Sequence, residues 1–120
     1  VFDWNNRRHS VSQAKIEVVS ADLDRSKKMD QISLELNNAK VNVNRTQEQI
    51  SIARQNLTIA SENLKLNTIS YNEGRLPILD VLSAQISWLQ AYTSVVSANF
   101  QNKVAIAEYN KALGLNLANR

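Results

Sequence analysis

The chain of 120 residues contains no cysteine, one proline (Pro77), two glycines (Gly74 and Gly114), one histidine (His9) and 6% aromatic residues. Each shortage excludes something. Without cysteine there is no disulfide framework, thiolate metal site or cysteine nucleophile, and a single histidine leaves few ligands for zinc or haem. Because residues 1 to 73 hold neither glycine nor proline, a sandwich or barrel of short strands is excluded, since those folds need turn residues at short intervals. No apolar run reaches the ~18 to 20 residues that a membrane-spanning helix requires, and Val1-Phe2-Asp3-Trp4-Asn5-Asn6-Arg7-Arg8 carries no apolar signal-peptide core. The chain opens on valine and reads as a segment of a longer protein.

Charge of one sign is also missing. The formal balance is +3, with six cations and five anions over residues 1–30, four and four over 31–73, and four and two over 74–120. Such a mixed tally describes solvated helix faces and argues against a nucleic-acid partner. Amides are abundant instead, with 15 Asn and 8 Gln. They suit surfaces that stay wet without a strong field, either the wall of a water-filled duct or the outside of a solvated coiled coil.

Periodicity supplies the architecture. The positions Ile32, Leu36, Ala39, Val43, Thr46, Ile50, Ala53, Leu57, Ala60, Leu64, Asn67 and Tyr71 alternate steps of four and three, a seven-residue repeat that implies left-handed supercoiling against a partner helix. Val11, Ala14, Val18 and Ala21 continue a stripe upstream, and Asp22 to Lys28 blur it. One long helix over residues 8–72 is expected, loosened near 22–30. In Asn72-Glu73-Gly74-Arg75-Leu76-Pro77 the glycine suits a left-handed helix terminus and the proline the first turn of the next helix, so the chain turns back there. A second helix is expected over 77–114, closed by Gly114, with a tail over 115–120.

The second helix carries two stripes. One is Leu79, Leu82, Ile86, Leu89, Thr93, Val96 and Phe100; the other is Val81, Ala84, Trp88, Ala91, Val95, Ala98, Asn102, Ala105, Tyr109 and Ala112, with alanine recurring every seven residues. The first helix answers with Ile52, Ile59 and Leu66 beside its main seam. A lone hairpin would leave one stripe on each helix in water, so self-association of the chain is expected. The fold class is all-α, a long antiparallel two-helix coiled-coil hairpin.

Reactive chemistry is sparse. His9 lies beside Arg7 and Arg8 without a nucleophile, no glycine-rich phosphate loop is present, and Asp22, Asp24 and Asp30 lack the glycine and terminal glutamate of a calcium loop. No enzyme activity, cofactor or metal is expected.

The run Tyr71-Asn72-Glu73-Gly74-Arg75-Leu76-Pro77-Ile78-Leu79-Asp80-Val81-Leu82-Ser83-Ala84-Gln85, leading to Ala112-Leu113-Gly114, resembles the C-terminal repeat of the TolC family of outer-membrane efflux channels. The family shows Tyr-x-x-Gly, a short loop, a Leu-Asp-Val-Leu-Asp-Ala-Gln-like run, an alanine-rich helix and a final Ala-Leu-Gly. Phe2-Asp3-Trp4-Asn5-Asn6-Arg7 resembles the end of the family's last membrane strand and the approach to its long helix, with asparagine where a glycine is usual. The resemblance implies a homotrimer whose protomers each add four helical strands to a periplasmic α-helical barrel beneath an outer-membrane β-barrel. This segment would lie in the periplasm as one hairpin of that barrel, with residues 1–7 closing the membrane strand and membrane contact left to parts of the parent outside this chain. It further implies that the tip Asn72, Glu73, Gly74, Arg75, Leu76 and Pro77 docks on a periplasmic adaptor protein serving an inner-membrane transporter. Tyr71 would belong to the closing network and Asp80 would line the aperture; the family's second aspartate is Ser83 here.

Two alternatives compete. In the α-hairpin of a periplasmic adaptor the tip reads Arg-x-x-x-Leu-x-x-x-x-x-x-Ser; Arg75 and Leu79 fit, but the serine position is Ile86. A structural coiled-coil scaffold would explain the heptads but not the alanine stripe or the unequal helices.

Overall fold

The computed structural model describes residues 2–118, and side chains from Trp4 to Ala118. They form two helices, α1 (Phe2–Asn72) and α2 (Ile78–Ala118), packed antiparallel in a rod of 109 × 21 × 13 Å. The length follows from α1 itself, whose 71 residues rise ~1.5 Å each. Among the described residues no strand occurs and no helix is long and apolar enough to cross a membrane.

The seam between the helices follows the two heptad registers. On α1 every position from Ile32 to Asn67 in the four-and-three series is buried or half-buried, and on α2 the same holds for the alanine-bearing stripe from Val81 to Ala112. Large residues of α1 such as Leu36, Ile50 and Leu64 therefore meet a helix that presents small ones, Ala84, Ala98, Ala105 and Ala112, all buried. Small against large lets the axes approach without voids.

Two polar bonds cross this seam. Asn102 Nδ2 donates to Thr46 Oγ1 at 3.0 Å, and Trp88 Nε1 donates to Ser61 Oγ at 3.0 Å. Thr46 is 2% exposed, and its hydroxyl lies within bonding distance of the carbonyls of Asn42 and Val43, so a buried polar group is satisfied on both sides. A run of alanines repeating every seven residues would pack almost equally well after a one-heptad slide. A polar pair inside that seam discriminates against the slide, because slippage would leave the Asn102 amide unpartnered.

Four expected details differ. Residues 2–7 are helical, so α1 begins at Phe2 rather than near residue 8; a strand end needs a neighbouring strand for its backbone groups, whereas a helix satisfies them internally. The stretch 22–30 is unbroken helix, because Leu23, Arg25, Lys27, Lys28 and Met29 are good helix formers that outweigh the poorer Asp22, Asp24 and Asp30. Gly114 does not close α2, which continues to Ala118; Gly114 keeps a negative φ, and Leu113 and Asn116 on either side remain half-buried. Tyr71 leaves the seam and is 42% exposed, while Ser70 takes the half-buried place as α1 approaches its terminus.

Candidate functional site

The candidate site is the tip, and its shape is set by one glycine. Gly74 has φ +75°, the only positive φ among the described residues. That left-handed step lets Arg75 N–H reach back to the Ser70 carbonyl at 2.8 Å and Gly74 N–H to the Tyr71 carbonyl at 2.9 Å, the paired bonds of a Schellman terminus. Glu73 N–H completes the last helical bond to Ile69 at 3.0 Å. Pro77 stands immediately before α2, and its carbonyl accepts from Asp80 N–H at 3.1 Å. With no N–H of its own, proline adds no orphan donor there.

The side chains of the tip divide in two. Asn72, Glu73, Arg75 and Pro77 are exposed, whereas Leu76 is half-buried. Arg75 Nε lies 3.4 Å from Glu73 Oε2; the pair is solvent-exposed and contributes little to stability. Just past the apex Ile78 and Leu79 are exposed, Leu79 at 69%, beside the carboxylate of Asp80 in the first turn of α2, where the helix dipole favours an anion. The tip thus gathers exposed apolar groups, one arginine and one aspartate on a rigid turn. Tyr71 lies in the last turn of α1, apart from Asp80 in the chain by the whole loop.

The two helices also bear outward stripes. Leu79, Leu82, Ile86, Leu89, Val96 and Phe100 on α2 are exposed, as are Ile52, Ile59 and Leu66 on α1, so one stripe on each helix is left free, and on α2 it is the one without the alanines. Between them runs a face of mixed character: Gln49, Asn56, Ser94, Ser97 and Gln101 line one shallow groove with Ile52, Ala53 and Ala98, and Glu35, Asn38, Asn42, Glu108 and Lys111 another on the same side with Ala39, Ala112 and Leu115. No group of metal-binding side chains is found among the described residues.

The cross-seam bonds of Thr46 with Asn102 and Ser61 with Trp88, and the stacking of Trp88 on Tyr92 at 5.4 Å between ring centres, were not anticipated. The signal for the first was present: Thr46 and Asn102 are polar members of otherwise largely apolar stripes on opposite helices. Trp88 with Ser61 had no such signal, because Ser61 lies beside the seam rather than in it.

The two glycines predict opposite outcomes. An added Cβ meets nothing within 4 Å at either position, so only the backbone decides. Gly74→Ala should lower stability by ~1–2 kcal/mol through left-handed strain, and Gly114→Ala should raise it by ~1 kcal/mol; thermal melts of both variants check this.

Searches of curated proteins and of solved structures returned no match. The sequence model of the outer membrane efflux protein family matches residues 1–115, nearly the whole of a chain whose two unequal helices, alanine seam and Gly74 turn are already described. The chain belongs to the outer membrane efflux protein family.

Proposed function

We propose that this hairpin forms two adjacent staves of a periplasmic α-helical barrel in a homotrimeric outer-membrane channel, a passive conduit docked through its tip on a periplasmic adaptor of an inner-membrane transporter. The observation that carries this reading is the pair of outward stripes. Ile52, Ile59 and Leu66 on α1, and Leu82, Leu89 and Val96 on α2, occupy the same half of the rod, nearest the tip. Two hairpins laid side by side with tips aligned would bring these stripes into contact, and each joint would leave a fresh stripe at the far edge. An interface of this head-to-tail kind closes only as a ring.

The amide-lined face fits the same reading. In a ring of such ribbons the stripes are consumed by neighbours, and the broad faces, with Asn42, Gln49, Asn56, Ser94 and Gln101, stay against water inside or outside the duct. Asp80 and the tip then lie at the end remote from the membrane, with Asp80 at the aperture and Tyr71 in the closing network, and Asn72 to Pro77 facing the adaptor.

The stripes make a testable demand on the chain by itself. Sedimentation equilibrium should show species of two or more hairpins, four or more helices, at micromolar concentration. Each exposed stripe otherwise leaves apolar area in water at ~25 cal/mol per Å². Ile59→Lys together with Leu89→Lys should return the chain to a monomer with unchanged helicity. A wild-type chain that stays monomeric at high concentration would contradict the wall assignment.

A further inference from the structure

Gly114 has no purpose within the hairpin that contains it. It stands inside α2, which continues to Ala118, and it keeps a negative φ, so no turn requires it. A glycine inside a helix is destabilising relative to alanine, and an added Cβ at this place meets nothing within 4 Å. The position looks away from α1, on the exposed row that runs back by sevens through Ala107, Phe100 and Thr93. A side chain omitted from an outer row makes room only for something that approaches from outside.

The register of the hairpin identifies what approaches. Thr46 is bonded to Asn102, so residues equally far from these two, in opposite directions along the chain, stand level on the rod. On the outer edges Ile52 is then level with Val96, Ile59 with Leu89, Leu66 with Leu82 and Ile69 with Leu79, all of them exposed. Two hairpins laid side by side with tips level set the α1 edge of one against the α2 edge of the other, and each of these levels joins two large apolar side chains. Farther from the tip the pairing changes kind. Leu34 and Val41, 60% and 58% exposed, come level with Gly114 and Ala107, so a bulky residue meets a small one twice in succession. The same small-against-large pairing brings α1 and α2 together inside the hairpin.

Other registers serve these residues less well. A slide by one heptad in either direction keeps three large apolar pairs instead of four, and only the level register gives both Gly114 and Ala107 a bulky apolar partner. Glu48 and Glu62 interrupt the α1 edge in every register. From Leu34 to Ile69 the joint is ~53 Å long and ~10 Å wide, on the order of 1,000 Å² over the two surfaces, the scale of a specific interface.

We infer that the outer edge of α2 from Leu79 to Gly114 receives the outer edge of α1 of a second copy of this chain, tips level, with Leu34 seated over Gly114 and Val41 over Ala107. The inference deepens the barrel reading and rests on it for the side-by-side approach. In a protomer of four helical strands the neighbour is the other hairpin, and in the chain alone a second copy takes its place.

The chain has no cysteine, so single cysteines report the register. Positions 34 and 114 of one chain lie on opposite edges of the rod, out of disulfide reach, and only two copies can join them. Leu34→Cys mixed with Gly114→Cys should give a disulfide-linked dimer on oxidation. Val41→Cys with Gly114→Cys, and Leu34→Cys with Ala107→Cys, which a one-heptad slide would bring together, should not. Gly114→Leu should raise the melting temperature at concentrations where the chain is monomeric, since leucine is the better helix former. In sedimentation the same variant should associate about tenfold more weakly or worse, because the added side chain overfills the joint. Crosslinking of a slid pair in preference to the level one overturns the inference, as does association of Gly114→Leu as tight as that of the wild type. Either result, with the wild type still associating, leaves the channel wall standing; a wild-type chain that never associates rejects both.

Discussion

Leu76→Asp in the parent channel should abolish export and adaptor crosslinking while the trimer still assembles. Leu76 is half-buried on a turn already closed by the Gly74, Arg75 and Glu73 backbone bonds, so within the hairpin the substitution removes part of one apolar contact, at most ~1 kcal/mol. At a docked adaptor the same carboxylate would be desolvated without a built partner, at a cost of several kcal/mol. The expected pattern is a melting temperature lowered by a few degrees, unchanged helicity, and export at background. If the tip were only a turn the order would reverse, with Gly74→Val damaging the fold and Leu76→Asp exporting at the normal rate. Export assays on both variants, beside melts of the isolated chain, separate the two.

Ala105→Phe should have the largest effect on stability. Ala105 is 1% exposed, and the antiparallel register set by the Thr46–Asn102 and Ser61–Trp88 bonds puts it level with Val43. A ring inserted there forces the axes apart and endangers the Thr46–Asn102 bond one turn away. Overpacking costs ~1–3 kcal/mol, and loss of the polar pair removes the bond of the half-buried Asn102 amide at a further ~1 kcal/mol. For a hairpin held by one seam that sum removes much of its stability. Ala107→Phe is the control: Ala107 is exposed on the opposite side of α2 and should be nearly neutral. Thermal melts with matched chain concentration give the comparison, and equal melting of the two variants would show that the alanine stripe does not set the helix spacing.

The sequence by itself determined the packed face of α1 and where the chain turns. A four-and-three spacing made Ile32 to Asn67 legible as the packed set of α1, whereas α2 carries two stripes of that spacing, and only the structure chose Val81 to Ala112 over Leu79, Leu82, Ile86 and Phe100 as the one that faces α1. Gly74 was legible because φ near +75° is open to glycine and strained for other residues. Of the candidate site, the tip's boundaries were therefore readable, but not the burial of its members. What local pattern does not encode is how far a seam extends and which polar pairs cross it. Tyr71 keeps the heptad spacing yet is exposed, because the Schellman bonds to Ser70 and Tyr71 end the seam one residue early. Gly114 has the chemistry of a terminator, yet α2 passes through it while Leu113 and Asn116 still have α1 to pack against. Only the tertiary structure decided that Thr46 and Asn102 face each other and that Trp88 reaches Ser61. Those facts depend on the relative register of two helices, a quantity that neither helix carries alone.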